Sequence, residues 1–238
     1  MILRRITDAF RRQDWFTVFI ETLIVVLGVF LGLQVNNWNA AREIRAEQHQ
    51  VDLRLRSDFQ LLDEALTGAL DYQEQIILAL NTLRTAIDRG KALDSEDEAI
   101  KLAIVKGRSY PSFSRKSATY NELLSSGKLS LIRDDALRTA LAIYSERIDN
   151  SLYNIEQTRA PINTDFLFTA QYAELTPIRK GETGIQSVLS YDIPAMAQDD
   201  EFRRRLDSLI VVQTWIYTNL ASQRDAIDAV EKAMEAAP

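Results

Sequence analysis

The pattern of apolar and polar positions changes character twice along the chain. From Phe16 to Val35 nearly every position is apolar, and Glu21 is the one charged side chain in the stretch. At about 1.5 Å per residue, a helix over these positions spans about 30 Å, the thickness of a bilayer's hydrocarbon core. Trp15 and Trp38 bracket the stretch as interfacial aromatics do, and Gln34, Asn36, Asn37 and Asn39 mark its far edge. No other segment is apolar on all faces, which separates this one from the core helices of a soluble domain. A cleaved signal peptide has a shorter apolar region and small residues before the cut, whereas the exit here reads Asn36-Asn37-Trp38-Asn39. The pattern predicts a basic segment over 1–14, a transmembrane helix over 15–38 and an extramembrane body over 39–238.

Past Trp38 the pattern becomes periodic. Val51, Leu55, Phe59, Leu62, Leu66, Ala69, Gln73, Ile76, Leu80, Leu83 and Ile87 follow alternating steps of four and three. That is a heptad seam, with Gln73 as its one polar member. The helix is expected to continue from the membrane and to stop at Gly90, a residue suited to a helix C-terminus. A second seam of similar length runs through Phe202, Leu206, Leu209, Gln213, Ile216, Leu220, Gln223, Ile227, Val230 and Met234, on a helix expected from about Asp199 to Glu235. Between them, Leu137, Leu141, Tyr144, Ile148, Leu152 and Ile155 share one face of a third helix starting at Asp134, with Pro161 interrupting or kinking its end.

Shorter elements fill the remainder. Acidic residues from Asp94 to Glu98 precede an apolar run and suit a helix N-terminus. A metal site there lacks the glycine-punctuated pattern of a calcium loop. Residues 109–113 read as a loop, 116–126 as a short helix capped by Gly127, and 175–198 as the least regular part. The fold expected is all-α: one transmembrane helix continuing into an elongated antiparallel helical bundle. Gln73, Gln213 and Gln223 either form polar layers that fix register or are seam positions turned to solvent.

Composition agrees. Glycine and proline are scarce, at 8 and 5 residues, as expected of a mainly helical chain. With no cysteine, disulfides, thiolate metal sites and cysteine nucleophiles are excluded. A net charge of -6 argues against nucleic acid as a partner. The charge is uneven, because Arg4, Arg5, Arg11 and Arg12 give the N-terminal tip a positive balance against Asp8 and Asp14. By the positive-inside rule the N-terminus is cytoplasmic and the body periplasmic, in a bacterial inner membrane. Ile2, Ile6, Ala9 and Phe10 recur at helical spacing, so the tip is either a surface-lying basic amphipathic helix or a frayed end.

Chemistry is sparse. The one histidine, His49, falls on a charged helix face, and no nucleophile elbow, phosphate loop, metalloprotease or dinucleotide motif is present. Ser125-Ser126-Gly127-Lys128 lacks the upstream glycine of a phosphate loop and reads as a helix cap. Arg203-Arg204-Arg205 is a solvated face or a dock for lipid or an acidic partner. No catalytic residue, metal ligand or cofactor is expected. Glu21 carries the most information, since a carboxylate in hydrocarbon is costly unless protonated, paired or facing water. It shares a helix face with Gly28 and Gly32, whose small-xxx-small spacing lets a second helix approach closely. Its alternatives are an ion path and simple snorkelling to the near interface. Tyr110, Tyr120 and Tyr144 are the side chains a ligand pocket in the bundle would use.

Two stretches together resemble a known family. One is the run from Glu21 through Gly28 and Gly32 to Asn36-Asn37-Trp38-Asn39. The other is Thr119-Tyr120-Asn121-Glu122-Leu123 through Gly127 to Ile132, followed by Leu137-Arg138 and Tyr144. Both are similar to a family of bacterial single-pass membrane proteins known only as a domain of unknown function. The resemblance implies an anchored helical protein and brings no activity. The function expected is therefore a non-enzymatic membrane protein that self-assembles or serves as an accessory or scaffold subunit. Its partners would be the lipid bilayer and itself or other membrane-protein subunits. The alternatives are a ligand-sensing extracytoplasmic bundle and a stator-like subunit using Glu21 as ion or proton carrier.

Overall fold

The structure, a computed structural model, describes residues 15–111, 116–162, 168–177 and 187–236. Arg4, Arg5, Arg11 and Arg12 lie outside them. The chain divides into two compact units, Met1–Asp52 and Leu53–Pro238.

The first helix, α1 (Trp15–Arg89), contributes to both units. In the first unit the apolar stretch is largely exposed among the described residues: Phe19 is 63% exposed and Val25 65%. Among the described residues this is the one helix long and apolar enough to cross a membrane, and none of its most apolar window is buried. Trp38 is exposed as well.

In the second unit the heptad seam becomes the core. From Leu55 to Ile87, every predicted seam residue of α1 is buried. The helix ends as its glycine predicts. Gly90 adopts φ 75°, and the N–H groups of Gly90 and Lys91 donate to the carbonyls of Ile87 and Ala86. This is the paired closure that satisfies the last orphan carbonyls of a helix.

Helices α2 (Asp97–Lys106), α3 (Ala118–Ser125) and α4 (Asp135–Ile162) follow. Each starts or stops on a residue whose chemistry favours it. Ser117 caps α3, accepting from the Tyr120 N–H at 3.1 Å, and Gly127 at φ 71° ends it. Asp134 caps α4 by accepting from the Leu137 N–H at 2.7 Å. The bounds of α4 put Pro161 in its last turn rather than at an internal break. The irregular region holds two short strands, β1 (Ala173–Leu175) and β2 (Val188–Tyr191), paired antiparallel with Ala173 opposite Tyr191. Helix α5 (Ile193–Gln198) and the long α6 (Asp200–Ala236) complete the chain. Asp199 caps α6 through the N–H groups of Glu201 and Phe202.

Helix α6 runs antiparallel to the second-unit part of α1, shown by cross-links whose numbers rise on one helix as they fall on the other. Arg56 donates to the Met234 carbonyl, Arg224 bridges to Asp63, Gln73 bonds Gln213, and Arg84 bridges to Asp207. All ten predicted seam residues of α6 are buried. Helix α4 lies antiparallel to α6, with Arg147 donating to the Ser222 carbonyl and Asn154 to Asn219. The fold is thus all-α, with one small strand pair where the sequence shows only breakers.

One part of a predicted face is corrected. Leu137, Leu141, Tyr144 and Ile148 are buried, but Leu152 is exposed and Ile155 only half-buried. Ser151 is buried instead. Its hydroxyl accepts from Gln223 Nε2 at 2.6 Å and donates to the Asn219 carbonyl at 3.4 Å. Ser151 continues the alternating four-and-three steps from Leu137 through Leu141, Tyr144 and Ile148, and its small hydroxyl leaves room for the Gln223 side chain.

Candidate functional site

The residues singled out by sequence fall into separate places. In the first unit, Glu21, Gly28 and Gly32 lie on one face of α1. A Cβ built on either glycine meets nothing within 4 Å. The groove those glycines form is therefore open along its length, and no other part of the described chain fills it. Val25 and Val35 continue the same face by steps of four and three, and both are more than half exposed. This face is narrow and smooth, a shape suited to close helix contact.

The three tyrosines do not form one pocket. Tyr144 is 1% exposed and stacks edge-on against Phe59 at 4.9 Å between ring centroids. Burial pushes its hydroxyl pKa well above the ordinary tyrosine value, with the charge of Asp58 adding to the shift. Tyr120 is buried at the start of α3. Tyr110 follows Ser109, whose carbonyl is held by Gln213 at 3.1 Å. Gln213 sits at the level of Gln73, fourteen residues along α1 from Phe59, or about 21 Å of helix rise. Tyr110 and Tyr144 are therefore well separated along the bundle.

What surrounds Tyr120 is a fastening. Asp58 on α1 accepts from the Ser117 hydroxyl at 2.7 Å and from the Thr119 N–H at 2.8 Å. One carboxylate thus satisfies orphan donors at the N-terminus of α3, where negative charge is favourable. Four residues away, Arg54 pairs with Glu122. Helix α3 is in this way pinned to α1 at its first turn and its middle, with Tyr120 and Leu123 buried.

Elsewhere the charged residues are engaged by neighbours. Glu96 accepts from Arg89 and from the Leu93 N–H, and the Arg89 guanidinium is the main cause that holds its carboxyl down to about 2. Asp97 pairs with Lys101 at 2.6 Å and accepts from the Tyr191 hydroxyl at 2.8 Å. Burial, then that bond to Asp97, pushes the Tyr191 hydroxyl up to about 12. Among the described residues no group of three His, Asp or Glu side chains is placed to hold a metal ion. His49 lies exposed on α1. In the arginine run, Arg203 pairs with Asp200, and Arg205 lies over the Phe168 ring at 4.6 Å.

Sequence reasoning missed Gly107. Its carbonyl accepts from Gln213 Nε2 at 2.7 Å, and a Cβ there would lie 2.7 Å from Leu80 Cδ2. The signal was a glycine directly after an apolar, helix-period run, a position otherwise read only as a cap.

Residues 21–167 match the family described as "Family of unknown function (DUF6090)". No curated protein matches the chain, and no solved structure does.

Proposed function

Because the chain belongs to the DUF6090 family of unknown function, whose match covers well over half of its 238 residues and brings no activity, we propose from its own residues that it is a non-enzymatic, single-pass membrane protein that assembles through its anchor helix. It does so with itself or as an accessory subunit of a larger membrane complex. The anchor lies in the bacterial inner membrane, with the N-terminus cytoplasmic and the bundle periplasmic, on the strength of the arginine distribution.

The observation that carries the reading is the open glycine face. Gly28 and Gly32 present backbone that nothing among the described residues covers, on the face that also carries Glu21. In lipid, apolar side chains gain little by leaving one hydrocarbon for another, so close backbone contact and polar pairing drive association. A second helix against this face supplies the contact and gives Glu21 a hydrogen-bonding partner.

The test is the mass of the complex extracted in lipid nanodiscs, with every co-purifying chain identified. The expected result is a homo-oligomer or a fixed-stoichiometry complex. A lone monomer at all lipid-to-protein ratios refutes the proposal.

A further inference from the structure

A groove of about 610 Å³ opens between α2 and β2 in the second unit. The volume falls within the range of small-molecule sites, about 300–1,000 Å³. Helix α2 has two working faces. Ile100, Ala103 and Ile104 are buried in the core. Leu102 and Val105 are turned away from it, half-buried, and line the groove opposite Val188 of β2. The groove therefore has an apolar wall on either side.

Its polar groups are unequal. Lys101 is already neutralised, by Asp97 at 2.6 Å and Glu98 at 3.6 Å. Lys106, in the last turn of α2, makes no ion pair among the described residues, although it also lines the groove. The helix's negative end favours an ammonium there but leaves its hydrogen-bonding capacity open. Ser187 lines the opposite side. Its N–H and carbonyl are both bonded to Thr176, and its hydroxyl makes no hydrogen bond among the described residues. Glu98 stands on the rim, largely exposed.

We propose that this groove binds a small amphipathic carboxylate. The carboxylate pairs with the Lys106 ammonium and accepts from the Ser187 hydroxyl, while an aromatic or short aliphatic body lies against Leu102, Val105 and Val188. Glu98 repels a second negative charge, so a monoanion fits and a phosphate ester or dicarboxylate does not. The proposal is independent of how the anchor assembles.

The test uses the full chain in nanodiscs and saturation-transfer NMR, with 3-phenylpropionate as probe and 3-phenylpropanol as its neutral counterpart. Empty nanodiscs are subtracted to remove partitioning into lipid. Binding of the carboxylate above that background is expected, with Lys106→Gln weakening it about tenfold, the scale of one lost charge-assisted contact. Lys106→Arg is expected to restore it, and the alcohol is expected to bind weakly and indifferently to either variant. Lys106 packs in no core layer, so both variants keep the wild-type circular dichroism melt. Carboxylate binding no greater than to empty nanodiscs, or an unchanged affinity in Lys106→Gln, overturns the proposal.

Discussion

Gln73 on α1 donates its side-chain amide to Oε1 of Gln213 on α6 at 2.6 Å, and both side chains are fully buried. The same amide donates to the Gln213 backbone carbonyl at 3.0 Å. Gln213 in turn donates to the carbonyls of Gly107 and Ser109. Two seam positions that interrupt an otherwise apolar core are thus the links of one chain of amides, running from α1 through α6 to the segment after α2. A slide of α6 breaks every link and a slide of α1 breaks the two from Gln73, which is how a buried polar pair specifies register at some cost in stability.

The two glutamines are not equivalent. Gln73→Leu removes a donor and leaves Gln213 Oε1 unpaired, but it also removes Gln73 Oε1, a buried acceptor with no partner among the described residues. Gln213→Leu strands the carbonyls of Gly107 and Ser109 and leaves the Gln73 amide only its bond to the backbone carbonyl at position 213. Each stranded buried group costs about 1–3 kcal/mol. Gln213→Leu should therefore lower stability by clearly more than Gln73→Leu, measured by urea unfolding in detergent. Equal midpoints for the two variants would contradict the order of links.

These relationships show how far the sequence could be read. The two long seams were legible because a heptad repeat needs only apolar periodicity, and every seam residue from Leu55 to Ile87 and from Phe202 to Met234 is buried. Helix ends were legible where glycine marks them, as at Gly90 and Gly127. Illegible parts depend on contacts distant in sequence. Ser151 takes the core position beside Leu152, where its hydroxyl meets Gln223, seventy-two residues away. The β1–β2 pair, too short to show alternation, forms from segments more than ten residues apart. Of the candidate site, the Glu21 and glycine face could be read from spacing alone. The groove beneath Leu102 and Val105 could not, because its other wall is Val188.

Gly107 makes a sharp packing test. Alanine there would set its Cβ 2.7 Å from Leu80 Cδ2 and against the Ala103 carbonyl. Neither can move far, since Leu80 is fully buried and the carbonyl belongs to α2. Overpacking of this kind costs about 1–3 kcal/mol. Gly107→Ala should lower the thermal midpoint, whereas Gly68→Ala, where nothing lies within 4 Å, should hold or raise it, since alanine favours a helix interior.

Acid should loosen the turn between α1 and α2. The Glu96 carboxyl is held down to about 2 from an ordinary 4.5, chiefly by its hydrogen bonds from Arg89. A carboxylate with a depressed folded pKa adds stability that is complete above its unfolded value and lost as pH falls through the folded one. The contribution of the pair is thus present above about pH 4.5 and gone near pH 2. Hydrogen exchange of the Leu93–Asp97 amides should accelerate across that window in the wild type. In Arg89→Ala the carboxyl returns toward its ordinary value, and the same acceleration should begin at higher pH. An unchanged profile would show that Arg89 does not set the Glu96 titration.

The anchor face gives a prediction that separates folding from assembly. A Cβ added at Gly28 or Gly32 meets nothing within 4 Å among the described residues, so Gly28→Leu and Gly32→Leu should leave the unfolding midpoint of the second unit unchanged. In lipid the same leucines hold a partner helix away, and each should weaken association at least about tenfold, corresponding to ~1.4 kcal/mol. Glu21→Gln keeps a donor and an acceptor at the same depth and should preserve the complex, whereas Glu21→Leu should loosen it. The measurement is the mass distribution in nanodiscs as protein is diluted with lipid. If both glycine variants associate as the wild type does, the open face is a lipid-facing surface. If Glu21→Gln assembles normally yet abolishes a cellular phenotype that the wild type restores, the carboxylate carries an ion rather than a contact. Glu21→Leu and Glu21→Gln behaving alike in assembly would remove the carboxylate from the interface and leave the glycines to hold it.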